Sequence, residues 1–193
     1  KSLQKEQAKQ NEETKWIEKT NGLEKKEANR QIKLIHNTQN MGFCKAVNQG
    51  IEAAKTPYVA LLNNDTKIIQ GFVMHLEQAL ESGKDVFSVS AKMLMMDRPD
   101  RIDGAGDYYC ALGWAFARGK GRNASDPGYQ KRQEVFSACG GAAIYRKDVL
   151  ERIGLFDENH FAYLEDLDLG YRAKIYGYRN LYEPKAQVYH VGS

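Results

Sequence analysis

The sequence predicts an α/β fold in which a mostly parallel sheet carries helices on its faces. Two observations support this prediction. Apolar runs of strand length alternate along the chain with segments whose apolar residues recur at helical spacing. The run at residues 58–62 is apolar without interruption, which is typical of a strand covered on both faces. Alternating strands and helices favour right-handed crossovers between parallel strands.

The first elements can be placed in order along the chain. Residues 32–35 predict a short strand, which a turn-rich loop follows. Strands are also predicted at residues 58–62 and 86–91. The helices between them are marked by two sets of apolar positions, Cys44, Val47, Ile51 and Ala54 in the first and Phe72, Leu76, Ala79 and Leu80 in the second.

The second half of the chain is less regular. Residues 93–133 lack steady periodicity, which indicates a functional loop region or a poorly ordered one. Residues 148–153 predict a short helix, and a strand or two is expected within residues 178–191. A longer helix before that final segment is marked by Leu167, Tyr171 and Ile175 and ends at Gly177.

Composition bounds the domain organisation and the class of function. Residues 1–31 are rich in charge and poor in apolar residues, so we expect an exposed helical or disordered segment before one domain at residues 32–193. The net charge of +3 is too small, and the basic residues too dispersed, for nucleic-acid binding. Three cysteines in helix, loop and turn contexts argue against a disulfide framework and favour a reducing, cytoplasmic location. No apolar stretch is long enough to cross a bilayer.

Polar residues follow the apolar run at residues 58–62. Asn63, Asn64 and Asp65 come directly after it, where ligands of open α/β sheets bind. A single strand-end carboxylate suffices for Mg²⁺ or Mn²⁺, which takes its other ligands from water and phosphate. The alternative is an Asx turn that only caps the next helix. These residues alone leave both readings open.

A second acidic cluster lies far downstream, at Glu165, Asp166 and Asp168. These acids could simply stabilise a helix N-terminus. The apolar and aromatic residues 161–164 before them would instead place Asp166 beside a partly desolvated cleft and make it a stronger base, while Asp168 pairs with Arg172.

Two further features have both a functional and a structural interpretation. Gly140 and Gly141 would let the backbone approach a ligand, or would only permit close packing. His190 is a candidate metal ligand or phosphate partner, although a lone histidine near a chain end is more often neither.

Together these segments resemble the family 2 glycosyltransferases of the GT-A fold, especially the rhamnosyltransferase-like branch. The resemblance runs from about residue 32 to the end and depends on the order and spacing of several short motifs. These are Asn40-Met41-Gly42-Phe43 with Asn48, Leu61-Leu62-Asn63-Asn64-Asp65-Thr66, Gly140-Gly141 with Arg146, and residues 154–158 leading into Leu164-Glu165-Asp166-Leu167-Asp168.

The resemblance implies a role for each candidate residue. Asp65 would hold the divalent cation, Mg²⁺ or Mn²⁺, with His190 as a further ligand, and Asp166 would be the catalytic base of an inverting transfer. The residues implied in donor binding are Asn40, Gly42, Asn48, Asn63, Asn64, Asp65, Gly140 and Gly141. The donor would be a UDP- or dTDP-sugar and the acceptor a glycan or lipid-linked saccharide of polysaccharide biosynthesis. A cytoplasmic location, extending to peripheral association with the inner face of the membrane, is compatible with that chemistry.

One feature departs from the family. Its members open with strands that grip the nucleobase, and no such segment precedes residue 32, so the domain is expected to lack its first strands. This departure favours an alternative, a catalytically inactive transferase-like module that binds a glycan or a protein. Retention of Asp65 and Asp166 favours the enzyme. A nucleotidyltransferase would need a glycine-rich basic loop near its start, which the sequence does not contain.

Overall fold

The computed structural model describes residues 32–192, and the compact unit that carries the candidate site begins at Asn37. The helices are α1 (Phe43–Ala53), α2 (Phe72–Leu80), α3 (Lys147–Ile153) and α4 (Glu165–Ile175), with one 3₁₀ turn at Pro127–Tyr129. The strands are β1 (Tyr58–Leu62), β2 (Thr66–Ile68), β3 (Val86–Met95), β4 (Ile102–Gly104), β5 (Asp107–Tyr109), β6 (Ala115–Ala117), β7 (Gln133–Val135), β8 (Ala142–Arg146) and β9 (Arg179–His190).

A seven-stranded sheet forms the centre of the domain. Its main order is β1-β8-β3-β9-β2, with β4 paired to β3 and β7 paired to β9. The predicted α/β sheet with flanking helices is confirmed, but its strands alternate in direction more than expected. β3 pairs in parallel with β9, whereas β8 lies antiparallel between β1 and β3. The hydropathy pattern cannot reveal that an antiparallel strand, β8, lies between β1 and β3, because side chains alternate with the same period in parallel and antiparallel strands.

Both faces of the sheet are covered. Successive residues of β8 point to opposite sides, so Ile144 packs into the core beneath α2 while Tyr145 packs into the core beneath the other helices. Buried residues of the first core include Phe72, Leu76, Leu80, Val89 and Val188, and those of the second include Ile51, Phe87, Leu150, Leu169 and Ala173. The layers hold the ends of β1 and β9 in fixed positions, where the candidate site lies.

Two details of the predicted strands are wrong. Residues 32–35 form no strand, because no strand of the described residues pairs with them. β1 is not covered on both faces. Within residues 32–192 it pairs only with β8, and Leu62 is 45% exposed.

The irregular region of residues 93–133 is a set of short ordered pieces. β3 extends to Met95, β4 returns beside it, and β5 and β6 form a separate two-stranded sheet. These short strands carry acidic residues to the candidate site. The segment predicted to be helical or disordered, residues 1–31, lies outside the described residues.

Among the described helices, none combines the length and the apolar character that a bilayer span requires. All three cysteines, Cys44, Cys110 and Cys139, are free thiols.

Candidate active site

An open cleft of about 430 Å³ lies at the end of the sheet where β1 and β9 finish. Side chains from distant parts of the chain line it. Those that bear on the chemistry are Asn63, Asp103, Asp107, Lys120, Cys139, Glu165, Asp166 and His190. The cleft therefore brings the two acidic segments of the sequence together.

His190 organises one side of the cleft. Its Nδ1 lies 2.7 Å from Oδ2 of Asp103, and its Nε2 lies 3.3 Å from Oδ1 of Asp65. The short contact to buried Asp103 fits an Nδ1–H that donates to that carboxylate, and it turns Nε2 toward the Asp65 carboxylate. A carboxylate oxygen and a ring nitrogen this close fit ligation of one cation, since a metal-binding histidine usually donates its other ring N–H to a carboxylate.

The backbone holds these residues in place. Thr66 is in register with His190 in the β2–β9 ladder, and the Val191 N–H donates to the carbonyl of Asp65 at 3.1 Å. The Asn63 N–H donates to the Gly141 carbonyl at 2.9 Å, and its side-chain amide nitrogen lies 3.5 Å from Nε2 of His190. Asp65 is 40% exposed at its side chain, so a ligand can reach it.

Asp166 also lines the cleft, from the first turn of α4. Its Oδ2 accepts a hydrogen bond from the Gly140 N–H at 3.2 Å and its Oδ1 from the Leu167 N–H at 2.8 Å. Burial raises the pKa of Asp166, and these backbone bonds oppose the rise because they favour the ionised form. A carboxylate in this setting is a stronger base than one in water.

The turn that presents Asp166 is strained. Tyr163 and Leu164 adopt φ values of 71° and 68°, in the left-handed region that side chains with a Cβ disfavour. Both residues are mainly exposed at the cleft. Strain of this kind persists where the surrounding structure imposes it, which is common at functional sites.

More carboxyl groups lie around Asp166 than the sequence predicts. Asp107, Cys139 and Asp166 each place one side-chain oxygen or sulfur atom within 4.8 Å of those of the other two, so the two carboxyl groups and the thiol lie close together. Burial, with the charges of Asp166 and Glu165, raises the pKa of Asp107 to about 8. Burial likewise raises the pKa of Glu165.

The structure brings only some of the predicted donor-binding residues into the cleft. Asn63, Gly140 and Gly141 line it. A Cβ on Gly141 would lie 3.2 Å from both the Asn63 amide nitrogen and the Met93 methyl, so the glycine keeps this wall open. Asn64 is exposed beside Asp65 and is not among the lining residues.

The remaining predicted donor-binding residues shape the backbone instead. Asn48 is buried, with its amide bonded to the N–H and carbonyl of Phe156. Asn40 accepts a hydrogen bond from the Gly42 N–H. Gly42 has a φ of 81°, and a Cβ there would lie 2.8 Å from the Phe161 carbonyl oxygen, so only glycine fits this turn into α1.

The predicted ion pair between Asp168 and Arg172 is confirmed at 2.8 Å. Arg172 also donates to the carbonyls of residues 153–155, so this pair supports the loop before α4. Arg146 is structural as well, because it donates to the carbonyls of Leu80, Gly83 and Val86 around the end of α2.

Sequence reasoning missed four residues of the cleft, Asp103, Asp107, Lys120 and Cys139. The first three lie in the segment that had no periodicity. A weak signal was available, because acids and glycines alternate there in the run Asp103-Gly104-Ala105-Gly106-Asp107.

The comparison with protein families settles the classification. The model described as "Glycosyltransferase like family 2" matches residues 10–193, which is nearly the whole chain. The chain belongs to this family. The family resemblance drawn from the motifs is thereby confirmed.

Solved structures support the same fold for this family 2 domain. GalNAc-T7 with UDP, GalNAc and Mn²⁺ matches with a TM-score of 0.64 and 14% identity over 80% of this chain and 31% of that chain. The mannosyltransferase PcManGT from Pyrobaculum calidifontis, in complex with GDP-Man and Mn²⁺, matches with a TM-score of 0.56 and 16% identity over 82% and 39%. These likenesses confirm the predicted GT-A fold.

Curated relatives are more distant in sequence. The uncharacterized protein y4gI of Sinorhizobium fredii is 22% identical over 84% of this chain and 18% of its own length. An N-acetylglucosaminyl-diphospho-decaprenol L-rhamnosyltransferase of Mycobacterium tuberculosis is 39% identical over 26% of this chain and 17% of its own length. The chain thus spans less than a fifth of each of these relatives.

Proposed function

We propose that this family 2 domain transfers a sugar from a nucleotide-diphosphate donor to a hydroxyl group of an acceptor, with inversion at the anomeric carbon. The observation that carries the proposal is that Asn63, His190 and Asp166 line the same cleft. Asp65 reaches the same place through its 3.3 Å contact with His190. The cleft thus combines a site for a cation with a desolvated base.

Asp65 and His190 would hold the cation, either Mg²⁺ or Mn²⁺. Their donor atoms are one oxygen and one nitrogen, both open to a ligand, and Asp103 keeps the ring in the ligating tautomer. A bound divalent cation would neutralise the charge that grows on the departing nucleoside diphosphate. The Mn²⁺ and nucleotide ligands named for the two solved structures support this assignment.

Asp166 would act as the general base. As the acceptor hydroxyl attacks the anomeric carbon, its O–H bond breaks and the proton passes to a carboxylate oxygen of Asp166, while the bond from the anomeric carbon to the diphosphate breaks. The Gly140 and Leu167 N–H groups orient the carboxylate for this transfer. A base on the face opposite the leaving group gives inversion.

The acceptor would lie toward an apolar groove next to the cleft. Tyr109, Trp114, Leu164 and Leu167 line this groove, and Leu164 also lines the cleft. Trp114 is 73% exposed and offers a free ring face. Tyr108, also considered for stacking, packs instead against the core and the Phe116 ring. A glycan or lipid-linked saccharide, in polysaccharide biosynthesis at the inner face of the cytoplasmic membrane, is the acceptor and setting we favour.

Calorimetric titration of the purified protein with UDP-, dTDP- and GDP-sugars tests the proposal. We expect binding of one donor class that requires Mn²⁺ or Mg²⁺ and disappears in Asp65→Asn. The exposed Asp97 provides a matched control, because Asp97→Asn changes the same charge outside the cleft. Cation-independent binding, or glycan binding without any donor binding, would instead support a transferase-like binding module.

A further inference from the structure

Asp107 and Asp166 come from distant parts of the chain but meet in the cleft. With Cys139, each places one ligand atom within 4.8 Å of the other two. The Asp107 backbone is tied to the segment just before Cys139, since its N–H donates to the Ser137 carbonyl and its carbonyl accepts from the Phe136 N–H, both at 3.0 Å. Its position is therefore built into the fold.

The residue before Asp107 reinforces that position. Gly106 has a φ of 83°, and a Cβ there would lie 2.8 Å from a methyl of Val135. Only glycine fits this turn without displacing the buried valine. The chain thus enters β5 along one path, which directs Asp107 into the cleft.

Hydrogen bonds distinguish the two carboxyl groups. Both oxygens of Asp166 accept backbone N–H bonds, which stabilise a negative charge. Oδ2 of Asp107 is buried and has no hydrogen-bond partner among residues 32–192. An ionised oxygen that is buried without a partner is costly, so a proton shared by the two groups belongs on Asp107.

We propose that Asp107 is a positioning residue that stays protonated beside Asp166, so that the pair carries one negative charge and Asp166 carries it. The protonation follows from the geometry alone. Its consequence for catalysis depends on the proposed function, in which Asp166 must be ionised to accept the acceptor's proton. A neutral Asp107 lets Asp166 stay ionised without a second anion next to it.

The charges around Asp107 agree with this assignment. Asp166 and Glu165 of α4 both disfavour its ionisation, and burial keeps the Cys139 thiol neutral by raising its pKa. The other titratable groups that line the cleft are Asp103, Lys120, Tyr163 and His190. Lys120 and His190 both contact the Asp103 carboxylate, and neither is paired with Asp107 among the described contacts.

Thermal unfolding of Asp107→Asn against the wild type tests the protonation without any substrate. Because the pKa of Asp107 is raised to about 8, folded wild type keeps a proton that the unfolded chain loses at about pH 4. This group therefore makes wild-type stability fall as pH rises between those values. Asparagine has no such proton, so the Tm of Asp107→Asn relative to wild type should rise from pH 5 to pH 8 and then level off.

The unfolding experiment has three controls. Asp97→Asn, at an exposed site, should show a Tm difference that does not change with pH. Asp166→Asn should shrink the pH dependence, because it removes a charge that disfavours ionisation of Asp107. The samples of the pH series contain EDTA, and a separate set without EDTA receives Zn²⁺. A pH-independent Tm difference for Asp107→Asn in the pH series overturns the proposal. A Tm increase with Zn²⁺ that wild type shows and Asp107→Asn lacks also overturns it, since a metal would require both acids ionised.

The pH profile of kcat/KM tests the catalytic consequence. Wild type should lose activity near pH 8, where ionisation of Asp107 adds a second charge to a cleft that binds an anionic donor. Asp107→Asn should lack this alkaline limb, a change that a purely structural residue would not cause. An identical limb in both proteins overturns the positioning role. Absence of any transfer by wild type would refute the proposed function and leave the unfolding result to be judged by itself.

Discussion

The acids of the cleft form two groups, Asp65 with Asp103 and Asp107 with Glu165 and Asp166, and the surroundings of the two groups differ. On the side of Asp65 and His190, the carboxylates contact a histidine and Lys120, and Asp65 is open to solvent. Around Asp166, three acids lie close together in a largely desolvated setting, and one oxygen each of Asp107 and Glu165 has no hydrogen-bond partner in the described part of the chain. The first arrangement leaves an accessible carboxylate beside a histidine, whereas burial in the second raises the pKa values of its acids. Under the proposed function, the first would serve the leaving group through a bound cation and the second would serve the base.

Asp166→Asn should have the largest effect, because it removes the base and leaves the metal side intact. We expect kcat to fall by about 10²–10⁴-fold with little change in donor affinity. Measured transfer rates and calorimetric donor binding separate the two quantities. Equal loss of both would show that Asp166 supports the donor site and that the two sides are not independent.

Wild-type activity should also fall at acidic pH. Burial raises the pKa of Asp166, so the base becomes protonated, and inactive, at a higher pH than the value of about 3.9 for an ordinary aspartate. The acid limb of the kcat/KM profile measures this directly. A limb at the ordinary value would mean that Asp166 is more solvated during the reaction than in this structure.

His190→Gln should affect the other side of the cleft. It removes one of two candidate ligands, so we expect at least about 100-fold weaker Mn²⁺-dependent donor binding. Asp103→Asn should cost about 10–100-fold, because it only weakens the group that orients the histidine. Asp97→Asn should change neither value. Mn²⁺ titrations at fixed donor concentration rank the variants, and equal effects of all three would contradict the assigned cation site.

Leu164→Gly should produce the smallest effect. It tests the backbone strain in the turn before Asp166, and the quantity it changes is the free energy of unfolding. Tyr163 and Leu164 are the only non-glycine residues with positive φ in the described part of the chain. Glycine relieves the left-handed strain at 164, and the lost side chain is 56% exposed, so we expect stabilisation by roughly 0.5–1 kcal/mol. Urea unfolding measures it. A destabilised variant would show that the packing of Leu164 outweighs the strain.

The spacing of apolar residues along the chain predicted where the longer helices lie. α1 and α2 lie close to the predicted positions because helical periodicity records which side of each helix is covered. α4 also lies close to its predicted position, but the residues that marked it do not form its covered face: Tyr171 and Ile175 are exposed, whereas Leu169 and Ala173 are buried.

Residues 102–109 show no hydrophobic periodicity, because their two strands are three residues long and too short to display an alternation of apolar and polar residues. The acids among them therefore went unnoticed, although Asp103 and Asp107 complete the cleft.

The order and spacing of the motifs by themselves predicted the family and the α/β class and selected Asp65, Asp166 and His190 as candidates, because chemistry at strand and helix ends requires particular side chains there. Tertiary structure alone decided how those residues are used. The contact between His190 and Asp103 joins positions 87 residues apart, and Asp107 approaches Asp166 from another strand. Protonation depends on burial and on neighbouring charges, and both exist only once the chain has folded.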